Sequence, residues 1–135
     1  MSSLNHIFSD TYTTLMQQAL EKNHVNNAKY FMDRIIEFNK KEEAITCLEK
    51  AINADFSDEK YGVGKEYAYL ALAHLYCDAK EYKKAKALLL PLKDKTNEPK
   101  IYYLLADVID TLNTKDNDGD RKFANMFRAK AAKLN

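Results

Sequence analysis

Residues that break regular structure are scarce in this sequence. Its 135 residues include 3 glycines and 2 prolines, and no tryptophan. Because tight turns and β-hairpins depend on glycine and proline, this scarcity disfavours a multi-stranded β fold. It favours helices joined by short polar loops. The length is that of one domain, since domains most often run to about 100–150 residues.

An excess of either charge is also missing. Lys and Arg total 21 and Asp and Glu total 20. Nucleic-acid-binding domains usually carry a basic excess or a basic stripe, so we expect no nucleic-acid partner. One stretch, residues 121–133, holds five basic residues and no acidic one. We interpret it as complementing the negative C-terminal end of the last helix, with a patch for an acidic partner as the alternative.

No apolar run approaches the roughly 20 residues that a membrane-spanning helix needs. Residues 1–15 show neither a basic segment leading into an apolar core nor a small-residue cleavage site. Cys47 and Cys77 are too few for a disulfide framework, and we interpret them as small buried side chains that stay reduced and unpaired. These features predict a cytoplasmic protein without a membrane partner.

Apolar residues recur at helical spacing along nearly the whole chain, and they predict about seven helices. An amphipathic helix lies within residues 1–23, with Ser9 or Asp10 available as a cap. Its apolar stripe comprises Ile7, Phe8, Tyr12, Leu15, Met16 and Ala19. Three helical hairpins are predicted after it, at residues 25–54, 58–94 and 97–134.

Prolines and polar residues predict where several helices begin and end. Pro91 should end the fifth helix near Leu90, and Pro99 suits the first turn of the sixth. The loop NTKDNDGD should precede a seventh helix from about Asp120 to Lys133. Two pairs have the spacing of a capping box: Asn39 with Glu42, and Asp78 with Glu81.

Internal similarity distinguishes a repeat array from a simple bundle. The segments KEEAITCLEKAI and KKAKALLLPL align, as do EYAYLALAHLY and KIYYLLADVI. Two kinds of helix therefore alternate, as they do in stacked antiparallel hairpins. The aligned pairs are Ala44 with Ala85, Leu48 with Leu89, Leu72 with Leu105, and Ala73 with Ala106.

Residues 66–92 resemble a tetratricopeptide repeat. The first helix of that family places a bulky residue, Leu, a small residue and Tyr at fixed spacings, and the second places Ala, a large apolar residue and a second Ala. The matching residues are Tyr69, Leu72, Ala73, Tyr76, Ala85 and Leu89, whereas Leu92, beside Pro91, stands where the second Ala is expected. The last hairpin resembles the longer Sel-type repeat, through Ala124, Phe127, Ala131 and Ala132, with Arg128 where an aromatic residue is usual. The first hairpin matches in part, at Ala44, Leu48 and Ala51.

The resemblance covers about residues 25–132 and implies an all-α single domain over residues 1–135. Its hairpins would stack as a short right-handed superhelix, in which the first helix of each hairpin lines the concave side. Exposed tyrosines suit recognition, because they offer rigid apolar area with a polar tip. The partner-binding residues carried over by spacing are Lys29, Tyr30, Asp33, Tyr67, Leu70, His74, Lys100, Tyr103 and Asp107.

These motifs specify packing and leave the function to be argued separately. Our leading hypothesis is an adaptor or chaperone-like module that binds a peptide or helix of another protein on the concave face. The alternative is a self-assembling component, for example a homodimer, that associates through its N-terminal helix. Four residues after Lys29 stands Asp33 rather than Asn, so the carboxylate clamp of heat-shock chaperone receptors is not expected.

We predict neither catalysis nor a cofactor. His74 and Cys77 lie three residues apart, but two ligands do not make a zinc site, which needs about four. The acidic loop around Asp116 and Asp118 lacks the first and last ligands of a calcium-binding EF-hand. No motif for a nucleophile with an activating base is present, so the sequence predicts a binding protein rather than an enzyme.

Overall fold

The computed structural model of this chain describes residues 3–22, 24–52 and 63–134, with side chains from Ser9 onward except at residues 25 and 63–65. The predicted stripe residues Ile7 and Phe8 lie outside the described side chains. Every regular element in the described ranges is helical, which confirms the all-α prediction of about seven helices. The helices are α1 (Ser3–Glu21), α2 (Val25–Phe38), α3 (Lys41–Ile52), α4 (Val63–Asp78), α5 (Tyr82–Leu89), α6 (Pro99–Leu112) and α7 (Asp118–Leu134), and a 3₁₀ turn, Leu90–Leu92, follows α5.

The chain divides into two compact units, Met1–Leu75 (unit 1) and Tyr76–Asn135 (unit 2). The boundary falls inside α4, which is the first helix of the predicted second hairpin. Each unit has an apolar core of its own and is described separately below. The single domain over residues 1–135 stays a prediction.

In unit 1, α1 packs against both α2 and α3, and α2 packs against α3. Each helix supplies an apolar stripe at the 3.6-residue period, as the sequence predicts. Burying these stripes removes their apolar surface from water and stabilises the arrangement. The buried residues are Met16, Ala19 and Leu20 on α1, Ala28, Met32 and Ile35 on α2, and Ala44, Ile45, Leu48, Ala51 and Ile52 on α3.

Two hydrogen bonds fix the relative direction of α1 and α3. Ser9 Oγ donates to Asn39 Oδ1 at 2.9 Å, just before α3 begins. Gln17 Nε2 donates to the carbonyl oxygen of Lys50 at 3.0 Å, near the end of α3. The two helices therefore run parallel, with α2 between them in the chain.

The predicted capping box at Asn39 is wrong. The carbonyl of Lys40 accepts the first hydrogen bond of α3, from the amide of Ala44, so Asn39 lies one residue too early to cap it. Its Nδ2 instead donates to the carbonyl of Ile35 at 2.7 Å and closes the end of α2. Ser9 is likewise no cap, because it lies inside α1 and its hydroxyl bonds Asn39.

The capping box predicted at Asp78 is also wrong. Asp78 is the last residue of α4, and Glu81, which precedes α5, makes no side-chain capping bond. The helix ends instead in a Schellman motif, in which the amide of Glu81 bonds the carbonyl of Tyr76 and the amide of Lys80 bonds that of Cys77. Lys80 adopts the left-handed conformation that this motif requires, at φ 60°.

The two prolines predicted helix boundaries correctly, whereas α7 begins two residues before its predicted start at Asp120. The α-helical part of α5 ends at Leu89 before Pro91, and Pro99 is the first residue of α6. Helix α7 begins at Asp118 because Asn117 caps it. The side chain of Asn117 accepts a hydrogen bond from the amide of Asp120 at 3.2 Å, as an N-cap residue does.

In unit 2, α6 packs against both α5 and α7, and Tyr102 on α6 is fully buried. Its ring lies 6.0 Å from that of Phe127 on α7. Its hydroxyl lies 2.6 Å from the carbonyl of Lys93 and 2.7 Å from that of Thr96, both in the segment that links α5 to α6. One tyrosine therefore ties this link to the core.

Most of the small residues singled out by the repeat pattern have no exposed surface. Ala73, Ala85, Ala106, Ala124 and Ala131 are all fully buried, whereas Ala132 is exposed. The two cysteines are only half-buried, so the expectation that both are buried is wrong. Each cysteine stands at the edge of the apolar stripe of its helix. Cys47 is next to Leu48, which is fully buried, and Cys77 is next to Tyr76, which is nearly fully buried.

The substitution Ala73→Leu should destabilise the protein by about 1–3 kcal/mol, because three extra carbons must fit where no free surface remains. Ala87→Leu is the matched control, since Ala87 is exposed on α5. Chemical denaturation of the three proteins measures the effect. Equal midpoints for wild type and Ala73→Leu would show that position 73 does not face a packed core.

The substitution Tyr102→Phe should cost about 1–2 kcal/mol, because the Thr96 carbonyl loses its buried donor. The half-buried Tyr82 is the control, because its hydroxyl has no hydrogen bond to a described residue. Thermal melts of Tyr102→Phe and Tyr82→Phe should therefore differ. If both variants have the melting temperature of the wild type, the Tyr102 hydroxyl does not hold the α5–α6 link.

Candidate protein-interaction surface

Six of the predicted partner-binding residues belong to unit 1, three on α2 and three on α4. The ammonium group of Lys29 on α2 lies 4.6 Å from the centre of the Tyr67 ring on α4. This distance is that of a cation–π contact. This contact links one side chain on α2 with one on α4, the first helices of two successive predicted hairpins.

The side chains around the Lys29–Tyr67 contact are accessible. The surface of Tyr67 is 36% exposed, and His74, two turns further along α4, is exposed as well. Leu70 is half-buried between them, and Asp33 on α2 is exposed. An aromatic ring beside an aliphatic side chain, with charges at the edge, is the composition of many interface cores and rims. We call these five residues the first-helix face of unit 1: Lys29, Asp33, Tyr67, Leu70 and His74.

Tyr30 does not join the first-helix face. Successive residues of an α-helix are turned by about 100°, so Tyr30 and Lys29 leave α2 in different directions. Its ring packs against Phe31, with 5.6 Å between ring centres, and the guanidinium of Arg34 lies 5.4 Å from its centre. The side chain is 54% exposed.

Tyr30 belongs instead to an aromatic cluster that the sequence analysis missed. Tyr12 on α1 lies 6.1 Å from Phe31 and 6.2 Å from Phe38, between ring centres, and Phe38 is 40% exposed. The spacing of Phe31 and Phe38, two turns apart on α2, was a signal that they share a side. Their partner Tyr12 lies on another helix, which spacing along one helix does not reveal.

The remaining predicted residues, Lys100, Tyr103 and Asp107, lie on α6 in unit 2. Their spacing of three and four residues puts them on one side of the helix. Lys100 and Asp107 are exposed, and Tyr103 is 38% exposed. These three residues form the first-helix face of unit 2.

Asp107 already has a basic partner. Arg128 on α7 donates to Asp107 at 2.9 Å and pairs with Asp110 at 2.6 Å. Its hydrogen bonds to Asp107 and then to Asp110 raise the pKa of the Arg128 guanidinium above its usual value. Arg128 thus joins α7 to α6 through charge.

The interpretation of the basic stretch at residues 121–133 as a complement of the helix C-terminus is therefore largely wrong. Only Lys133 lies in the last turn of α7. Arg121 lies in the first turns, where its guanidinium is 3.1 Å from Asp116 and 2.6 Å from Asp118. Two carboxylates of the acidic loop are thus paired with an internal cation.

The chemistry of the described residues offers no metal cluster. No group of three or more His, Cys, Asp or Glu side chains among them is placed to hold a metal ion. Burial, followed by the charges of Asp78 and Asp107, raises the pKa of the Cys77 thiol. A thiol of raised pKa stays protonated at neutral pH, and it is then a poor nucleophile and a poor metal ligand.

Comparison with protein-family models, with curated proteins and with solved structures gives no match to this chain. Within the described ranges, none of the helices combines the length and the apolar character needed to cross a bilayer.

Proposed function

We propose that this chain is a cytoplasmic protein-interaction module of the tetratricopeptide and Sel kind. It would bind a segment of a partner polypeptide through the first-helix faces of its units, as an adaptor or a chaperone-like protein does. The observation that carries the proposal is the Lys29–Tyr67 contact between α2 and α4. It presents an accessible aromatic ring between two neighbouring first helices, as a peptide-binding hairpin array would.

The packing of the cores supports the repeat register. The residues that align between hairpins are buried in equivalent ways, with Leu72, Ala73, Leu105 and Ala106 no more than 1% exposed. The parallel course of α1 and α3 supports it too. Equivalent helices of successive hairpins run parallel, so α1 would correspond to the second helix of a preceding hairpin.

The position of α1 favours binding on the first-helix face over self-assembly through the N-terminal helix. Its apolar stripe, with Met16 fully buried, packs on α2 and α3 of the same chain. It leaves Tyr67 and Lys29 accessible. A homodimer formed by exchanging α1 would have to replace these contacts with equivalent ones from another copy.

The substitution Tyr67→Ala should weaken the binding of a partner captured with the wild-type chain by about 1–3 kcal/mol, the span usual for an anchor residue. Calorimetric titration of the purified partner against wild type and variant measures the loss. The exposed Lys83 on α5 gives the control Lys83→Ala, which should bind as wild type does.

A second variant tests whether the surface has been chosen correctly. Tyr30→Ala removes a tyrosine of the same unit that lies in the aromatic cluster, away from the Lys29–Tyr67 contact. If Tyr30→Ala abolishes binding and Tyr67→Ala leaves it unchanged, the aromatic cluster is the interaction surface and the first-helix proposal is wrong.

A further inference from the structure

A groove of about 330 Å³ lies along α1 and α3 in unit 1. Its size is near the lower end of the range for small-ligand pockets, about 300–1,000 Å³. The Ser9–Asn39 hydrogen bond marks one end. Lys50, whose carbonyl oxygen accepts from Gln17, marks the other. We call this the α1–α3 groove.

The hydroxyl groups that line the groove are already engaged. Thr13 Oγ1 donates to the carbonyl of Ser9 at 2.7 Å, and Thr46 Oγ1 donates to the carbonyl of Glu42 at 3.0 Å. Both bonds turn the hydroxyls toward their own helices. The wall therefore consists largely of methyl and methylene groups and the half-buried Cys47. Such a wall suits an aliphatic chain better than a polar head group.

The rim of the groove is acidic. Asp10, Glu42 and Glu43 line it, and Lys50 is the one basic residue among the lining side chains. None of these three carboxylates forms an ion pair with a basic side chain in the described part of the chain. Unit 1 as a whole carries 8 Lys and Arg against 11 Asp and Glu. Its net negative charge adds to the local attraction for a cation.

We propose that the α1–α3 groove binds an arginine or lysine side chain of a partner polypeptide. The aliphatic stem would lie against Thr13, Thr46 and Cys47, and the cationic tip among the carboxylates of the rim. Charge-assisted hydrogen bonds to carboxylates are about twice as strong as neutral ones, and arginine can make two at once. This site is separate from the first-helix faces. It therefore goes beyond the proposed function and specifies a basic residue in the partner.

The probe for this site is N-acetyl-arginine methylamide, with N-acetyl-norleucine methylamide as its uncharged counterpart. In a titration followed by ¹⁵N–¹H correlation spectra of the full chain, the arginine compound should shift the amides of Ser9, Thr13, Thr46 and Cys47. The norleucine compound should shift them little. The assigned spectrum reports directly on which helices respond, so binding at the first-helix face would be recognised as a different event.

Removing the rim charges tests the electrostatic part of the proposal. The double variant Glu42→Gln, Glu43→Gln should bind the arginine compound roughly fivefold more weakly, in line with exposed charge pairs. The control Glu21→Gln removes an exposed charge of the same unit outside the groove and should keep wild-type affinity. Both variants keep side-chain size and leave the buried core untouched, so each should fold as wild type does.

Three results would overturn the proposal. One is equal shifts from the arginine and norleucine compounds, and another is unchanged affinity in the Glu42→Gln, Glu43→Gln variant. The third is tighter binding of n-butylguanidinium, which carries the same single guanidinium charge on an aliphatic chain without a peptide backbone. That result would assign the groove to a small organic cation rather than to a polypeptide. None of these three results concerns Tyr67, so the first-helix proposal is tested separately, by the Tyr67→Ala titration.

Discussion

The packing of the α1 apolar stripe on α2 and α3 is the contact on which the account of unit 1 depends. Met16 and Leu20 are at most 3% exposed, and burying such side chains contributes about 1.5–3 kcal/mol each. This packing sets α1 parallel to α3, with the α1–α3 groove between them. It also leaves the first-helix face of unit 1 accessible. One helix thus forms one candidate binding surface and keeps another open.

Small residues allow the helices to approach closely. Ala44, Ala51, Ala106 and Ala131 have at most 1% of their surface exposed, and large side chains fill the space around them. In unit 2 the same logic applies around Tyr102, but a hydroxyl and a charge network supplement the apolar core. Arg128 holds α7 to α6 through Asp107 and Asp110. The surface left at Tyr103 is therefore bordered by charges that the protein already pairs.

Sequence reasoning was most reliable where the physical cause is local. Periodic apolar residues predicted every described helix, and Pro91 and Pro99 predicted two boundaries, because proline restricts its own backbone. Prediction failed where a side chain's role is set by a contact with a residue distant in the sequence. Asn39 bonds Ser9 and Ile35 instead of capping α3. Sequence spacing also did not reveal that Tyr30 joins a cluster through Phe31 and Tyr12, or that Arg128 pairs with Asp107. The α1–α3 groove could not be predicted, because residue spacing within one helix does not show which other helix lies beside it.

Hydrogen exchange of the full chain, followed by mass spectrometry at two protein concentrations, tests most directly whether α1 packs on its own hairpin. The account predicts that the amides of α1 between Thr13 and Leu20 are protected from exchange to a degree similar to those of α3. Both helices belong to one packed unit, so their amides exchange only when that unit unfolds. This protection should not depend on concentration. Rapid exchange of α1 beside a protected α2–α3 hairpin would contradict the account. So would protection of α1 that rises with concentration, since it would mean that α1 packs on another copy.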